Sequence, residues 1–167
     1  YEEMNRRFQD YEAKGYDNTK INHHMRTYIE TYIKTLSNQI EESGSEAMLY
    51  KIVPIHVYHA VEVALQLAQQ RLGYPISKKV YTAMALHISA LLENKRKEHE
   101  LNPNVYDVLS ENPNEYHVAM DIMSFLQKEL EITFPPQEIV FFTMFLCIEK
   151  DKPQVNGAIA LLALAHG

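Results

Sequence analysis

The chain has no tryptophan, one cysteine, five glycines and no apolar run of membrane-spanning length, and each scarcity closes off a class of protein. The single thiol, Cys147, permits no disulfide framework. Because it lies inside the run IVFFTMFLCI, it reads as a small core residue of a chain kept in the reducing cytoplasm. A membrane-spanning helix needs roughly 18 or more apolar residues in succession, and no stretch approaches that; no basic-then-apolar leader is present either. Scarce glycine and abundant Leu, Ile, Glu, Lys and Gln argue against a turn-rich sandwich or barrel and favour helices. Positive charge is also short, with a formal net charge of −6, so direct contact with nucleic acid is not expected. The one basic cluster, Asn94 to Lys97, is flanked by Glu93 and Glu98 and reads as a solvated helix end.

Signatures of ordinary catalysis are missing as well. There is no glycine-rich phosphate loop, no Gly-x-Ser-x-Gly and no His-Glu-x-x-His. His56 and His59 stand at i, i+3 and could share a helix face as metal ligands. No histidine has Glu three residues before it, however, so the ligation pattern of carboxylate-bridged bundles is absent. A protein with no catalytic residues, no metal and no cofactor is the expectation.

What is present is enough apolar residue, 46% of the chain, to bury one core. Met25, Ile29, Ile33, Leu36 and Ile40 recur at steps of three and four on an otherwise polar helix. That narrow stripe needs a neighbour or a twin subunit, because the helix alone would be marginal. Residues 1–44 therefore read as a helical connector. The body begins near Ser45 with a long helix to about Arg71, in which Pro54 fits only near a start or a kink. A second helix opens at Ser77. The repeated Asn-Pro-Asn at Asn102 and Asn112 marks two further starts, with Glu115 placed for a capping box at the second. Val118, Ile122, Phe125 and Leu126 form a buried face. After Thr133 to Glu138, the run Ile139 to Ile148 is apolar on nearly every side and belongs in the middle of a bundle.

His23, His24, His99 and His117 fall among polar neighbours and read as surface residues. His87 differs. Val80, Met84, Ile88 and Leu91 form an inward stripe, and His87 lies about 60° to one side of its centre, at the border between core and surface. A half-buried histidine satisfied by a neighbour accounts for this placement, and so does an imidazole held neutral within reach of a partner.

The stretch GYPISKKVYTAMALHISALLENKR resembles the histidine-bearing segment of the PTS regulation domain (PRD), the helical module with which bacterial sugar-operon regulators sense the phosphotransferase system. Ile76, Ser77, Tyr81, His87 and Ile88 match its pattern. Further on, Asn102 and Pro103, Pro113 to Tyr116, and Pro136 to Glu138 follow the order of the family's second half. The resemblance implies an all-α fold, a compact bundle of about five helices over residues 45–150, usually a homodimer. It also implies that the carrier HPr or an EIIB-type component delivers phosphate to histidine. By position His87 corresponds to the first phosphoacceptor. The second family histidine is replaced by Phe145, and an arginine usual after the first is displaced, with Asn94 near its place and Arg96 beyond.

Residues 151–167 change character. A Pro- and Asn-Gly-containing linker leads into AIALLALAHG, which periodicity alone leaves open between a buried strand and a short helix. The run resembles the first strand of a mannose-type EIIA domain, in which His166 would be the phosphoacceptor, inert when that domain is cut short. A PRD followed by such a domain is the order of the levan- and mannose-operon activators that act with sigma-54 RNA polymerase. RNA-binding antiterminators, which also carry PRDs, lack that strand. The start on Tyr1 and the abrupt close fit a piece of a longer regulator of that kind.

Overall fold

The computed structural model of the protein describes residues 2–42, 49, 51–93 and 101–150. The tail with His166, the basic cluster at Asn94 to Lys97, and His99 lie outside the described residues. All regular structure among the described residues is helical: α1 Glu2–Ala13, α2 Asn18–Glu42, α3 Ile55–Leu72, α4 Lys78–Glu93, a 3-10 turn Pro103–Tyr106, α5 Asp107–Ser110, α6 Pro113–Leu130 and α7 Glu138–Cys147. The all-α bundle expected from the sequence is what forms.

Helix boundaries follow local chemistry. Pro54 ends one segment and starts α3, its carbonyl accepting from the amides of Val57 and Tyr58 at 3.0 and 3.2 Å. At the other end Gly73 adopts φ 79°, which glycine takes without a Cβ penalty, and its N–H bonds Gln69 O. The Gln69 side chain then accepts from the amide of Ile76 at 2.8 Å, which ties the turn before α4 to the end of α3. The two Asn-Pro-Asn repeats behave differently. Asn102 caps as expected, its side chain accepting from Asn104 N at 3.0 Å, but what it opens is a 3-10 turn. Asn112 makes no side-chain cap; its amide donates to Asn22 on α2 at 2.9 Å and its oxygen accepts from Lys150 at 3.3 Å. Tertiary partners take the capping atoms of Asn112 because the residue is buried, with 1% exposure, and buried polar groups are satisfied by hydrogen bonds within the protein.

Neighbour relations run from α2 to α4, α4 to α3, α3 to α6, α6 to α7 and α7 back to α2, so five helices close a ring around one core. The centre is filled by Phe142, Phe145, Met84, Ile88, Leu65 and Leu126, all essentially inaccessible. α7 is buried at every position from Val140 to Cys147, as its all-round apolar sequence requires. In α2, the stripe Met25, Ile29 and Ile33 is buried and Leu36 partly so, against the bundle of the same chain. α1 is held to α2 by Met4, Phe8 and Tyr11, and to the start of the 3-10 turn by Asn5 and Glu12, which bond Asn102.

Candidate functional site around His87

The helix α4 is covered on more faces than its own stripe demands, since Val80 and every residue from Thr82 to Ser89 are buried. His87 therefore lies inside, at 7% exposure, rather than at the border of core and surface. The cause is α2, which packs along α4 and roofs the side on which the imidazole stands.

Both ring nitrogens are engaged. Nε2 lies 2.6 Å from Oε2 of Glu138, a carboxylate 1% exposed in the first turn of α7. Nδ1 lies 2.7 Å from the hydroxyl of Tyr32, a half-buried residue of α2. An ionised carboxylate only accepts, so in the neutral imidazole the proton sits on Nε2 and the tyrosine O–H donates to Nδ1. The ring plane is fixed by Phe141, stacked with centroids 5.0 Å apart, and by Phe145, edge-on at 5.5 Å. Glu138, Phe141 and Phe145 follow one another at steps of three and four, so a single face of α7 supplies all three. Burial and the nearby Glu138 carboxylate push the Tyr32 phenol well above its ordinary range, which keeps its proton available to donate.

The far end of α7 is anchored as firmly. Arg26 of α2 donates to Cys147 O at 2.7 Å and Tyr74 to Leu146 O at 2.7 Å, satisfying carbonyls that the helix leaves open. Tyr74 also reaches Glu115, a carboxylate 3% exposed, which receives Lys150 at 3.0 Å. Glu115 is thus the centre of a second buried polar cluster and not a capping-box residue.

The remaining histidines do not converge on this site. His56, His59 and His117 are exposed, His59 facing Glu62 at 3.4 Å. His24 packs against both Tyr11 and Tyr16, with ring centroids 5.1 and 5.0 Å away, and His23 is exposed beside it. Among the described residues no group of three ligating side chains is arranged to hold a metal ion. No helix among them is long and apolar enough to cross a membrane.

The sequence profile of the PRD domain family matches residues 62–147, just over half of the 167. The chain belongs to the PRD family. That membership carries a regulatory role governed by the phosphotransferase system in general. No curated protein and no solved structure shows a significant match. The PRD match spans His87, Glu138 and Phe145, and the structure brings these three together although 51 residues separate the histidine from its carboxylate. Tyr32 lies outside the match, on the segment expected as a connector. Phe145, where the resemblance would put a second histidine, lies edge-on to the His87 ring. Single-sequence reasoning did not find Tyr32 or the role of Glu138. For Glu138 the available signal was an acidic residue opening an otherwise wholly apolar helix; for Tyr32 no local signal existed.

Proposed function

We propose that the chain is the non-enzymatic sensor of a bacterial activator of a sugar-utilisation operon, and that His87 accepts a phosphoryl group from HPr or an EIIB-type carrier in the cytoplasm. The observation that carries this reading is a buried histidine, within a PRD, whose two nitrogens are both in polar contact and whose ring joins three helices. Phosphorylation adds about 1.5 to 2 negative charges to a ring now enclosed by Phe141, Phe145 and a carboxylate, so the unmodified packing cannot persist. The contacts of α4 with α2 and α7 would exchange for a second arrangement, which a homodimer would report to the attached activator domains. Taking such a switch from mostly off to mostly on needs roughly 5.5 kcal/mol of differential stabilisation, more readily supplied by two subunits than by one. A sigma-54 activator with a mannose-type EIIA domain downstream remains the best-supported setting, on the resemblance of the segment ending in His166. Incubation with phosphorylated carriers is expected to place acid-labile phosphate on the wild-type chain and none on His87→Ala; equal labelling of both would remove His87 from the mechanism.

A second reading, in which the domain positions its neighbours without being phosphorylated, is favoured by Phe145 at the second histidine's place and by the 7% exposure of His87. It expects His87→Asp to lower stability with no graded change in transcriptional output.

A further inference from the structure

The two nitrogens of His87 are not equivalent. Nε2 points inward at a carboxylate that is 1% exposed and fixed in the first turn of α7. A phosphoryl group there would press its anionic oxygens into the space that Glu138 fills, with like charge and no water to screen it. Nδ1 faces only the hydroxyl of a half-buried tyrosine on α2, which a side-chain rotation can withdraw. Phe141 stacked on one face and Phe145 against an edge pack around the ring in this orientation.

Resting on the reading that His87 is phosphorylated, we infer that the acceptor atom is Nδ1, that Glu138 is a positioning residue holding the ring proton on Nε2, and that Tyr32 is a displaceable cover over the attacking lone pair. In the step itself, the Nδ1 pair forms the new bond to phosphorus. The bond between phosphorus and the carrier breaks, with its electron pair returning to the carrier atom, which takes a proton from solvent. His87 keeps its Nε2 proton throughout. The ring therefore gains positive charge as the bond forms, and the Glu138 carboxylate at 2.6 Å is the counter-charge already in place. Tyr32 loses its acceptor and must move, so transfer and displacement of α2's side chain are one event.

The test is the phosphohistidine isomer formed on the whole chain with phosphorylated HPr and, separately, a phosphorylated EIIB, read by nitrogen-15 NMR and isomer-specific antibodies. Phosphate on Nδ1 of His87 is expected. Phosphate on Nε2 would overturn the acceptor assignment while leaving the sensor reading intact; no phosphate on His87 from either carrier would overturn both. The unmodified wild-type ring should show the Nε2-protonated tautomer, and a proton on Nδ1 would also refute the assignment. In Glu138→Gln the amide can donate to Nε2 and drive the ring proton onto Nδ1. Labelling at saturating carrier should then fall by about a hundredfold, with the half-saturating carrier concentration unchanged and partial recovery in Glu138→Asp. Wild-type labelling of Glu138→Gln would remove Glu138 from the mechanism. Tyr32→Phe should label several-fold faster, and slower labelling would end its role as a cover.

Discussion

Two buried carboxylates, Glu115 and Glu138, sit in the first turns of consecutive helices and are equally inaccessible, yet they keep different company. Glu115 receives the ammonium of Lys150 at 3.0 Å and the hydroxyl of Tyr74 at 3.2 Å, while Tyr74 and Arg26 also close the carbonyl end of α7. The hydroxyl and the ammonium can only donate to that carboxylate, and the same tyrosine ties it to the end of α7, so the cluster serves as a clamp. Glu138 receives instead an imidazole, whose two ring nitrogens can exchange the roles of donor and acceptor. The same helix α7 is thus pinned at its C-terminal end and conditional at its N-terminal end. A change at His87 would then act on α7 about a fixed far end rather than loosening the whole bundle.

The sharpest way to break the comparison is to remove the cation from the clamp. Lys150→Met leaves Glu115 buried without the ammonium, facing the Tyr74 hydroxyl. Losing one partner of a buried pair costs about 3 to 5 kcal/mol, and the 31% exposure of the lysine side chain brings the expectation to about 2 kcal/mol. Chemical denaturation should show that loss, and the double variant Lys150→Met with Glu115→Gln should recover most of it. If the single variant is as stable as wild type, Glu115 is not held by Lys150 and the clamp does not exist.

At the conditional end the same kind of change should cost less. Glu138→Gln exchanges an acceptor for a group able to donate, and the imidazole can answer by moving its proton, so both ring nitrogens keep a polar partner. About 1 kcal/mol of stability should be lost, the scale of a single altered hydrogen bond, with the folded helical content kept. A cost above that of Lys150→Met would show that His87 is held charged and static, which would make this end a second clamp.

Much of this architecture is legible in the sequence because it is local. The apolar run Ile139 to Ile148 announces a central helix, Pro54 and Gly73 punctuate α3, and the stripe of α2 announces a buried face. Where tertiary demand overrides local chemistry the reading departs from the structure. Asn112 and Glu115 have the spacing of a capping box, but burial hands their polar atoms to Asn22, Tyr74 and Lys150. His87 lies off the centre of its own stripe, so helix periodicity places it at a border; only the packing of α2 over α4 encloses it. Tyr32 is 55 residues away from the histidine it bonds, and no pattern in a single sequence carries that pairing.

The smallest expected effect separates the two clusters by alkali. Burial, reinforced by Glu115 near Tyr74 and by Glu138 near Tyr32, raises both phenol pKa values above the ordinary value of 10.0. A phenol whose folded pKa is raised holds its proton more tightly when folded. Its contribution is therefore complete below pH about 10, where the unfolded chain is still protonated, and is lost as pH climbs from there toward the folded value. Each such tyrosine should add at most about 1.4 kcal/mol per pH unit to the alkaline loss of stability, less for the partly exposed pair seen here. Denaturation midpoints measured from pH 9 to 11 should fall along a line that Tyr74→Phe and Tyr32→Phe each make shallower by a similar amount. An unchanged slope in one variant alone would place that tyrosine in contact with water, and with it would fall the claim that its neighbouring carboxylate is enclosed.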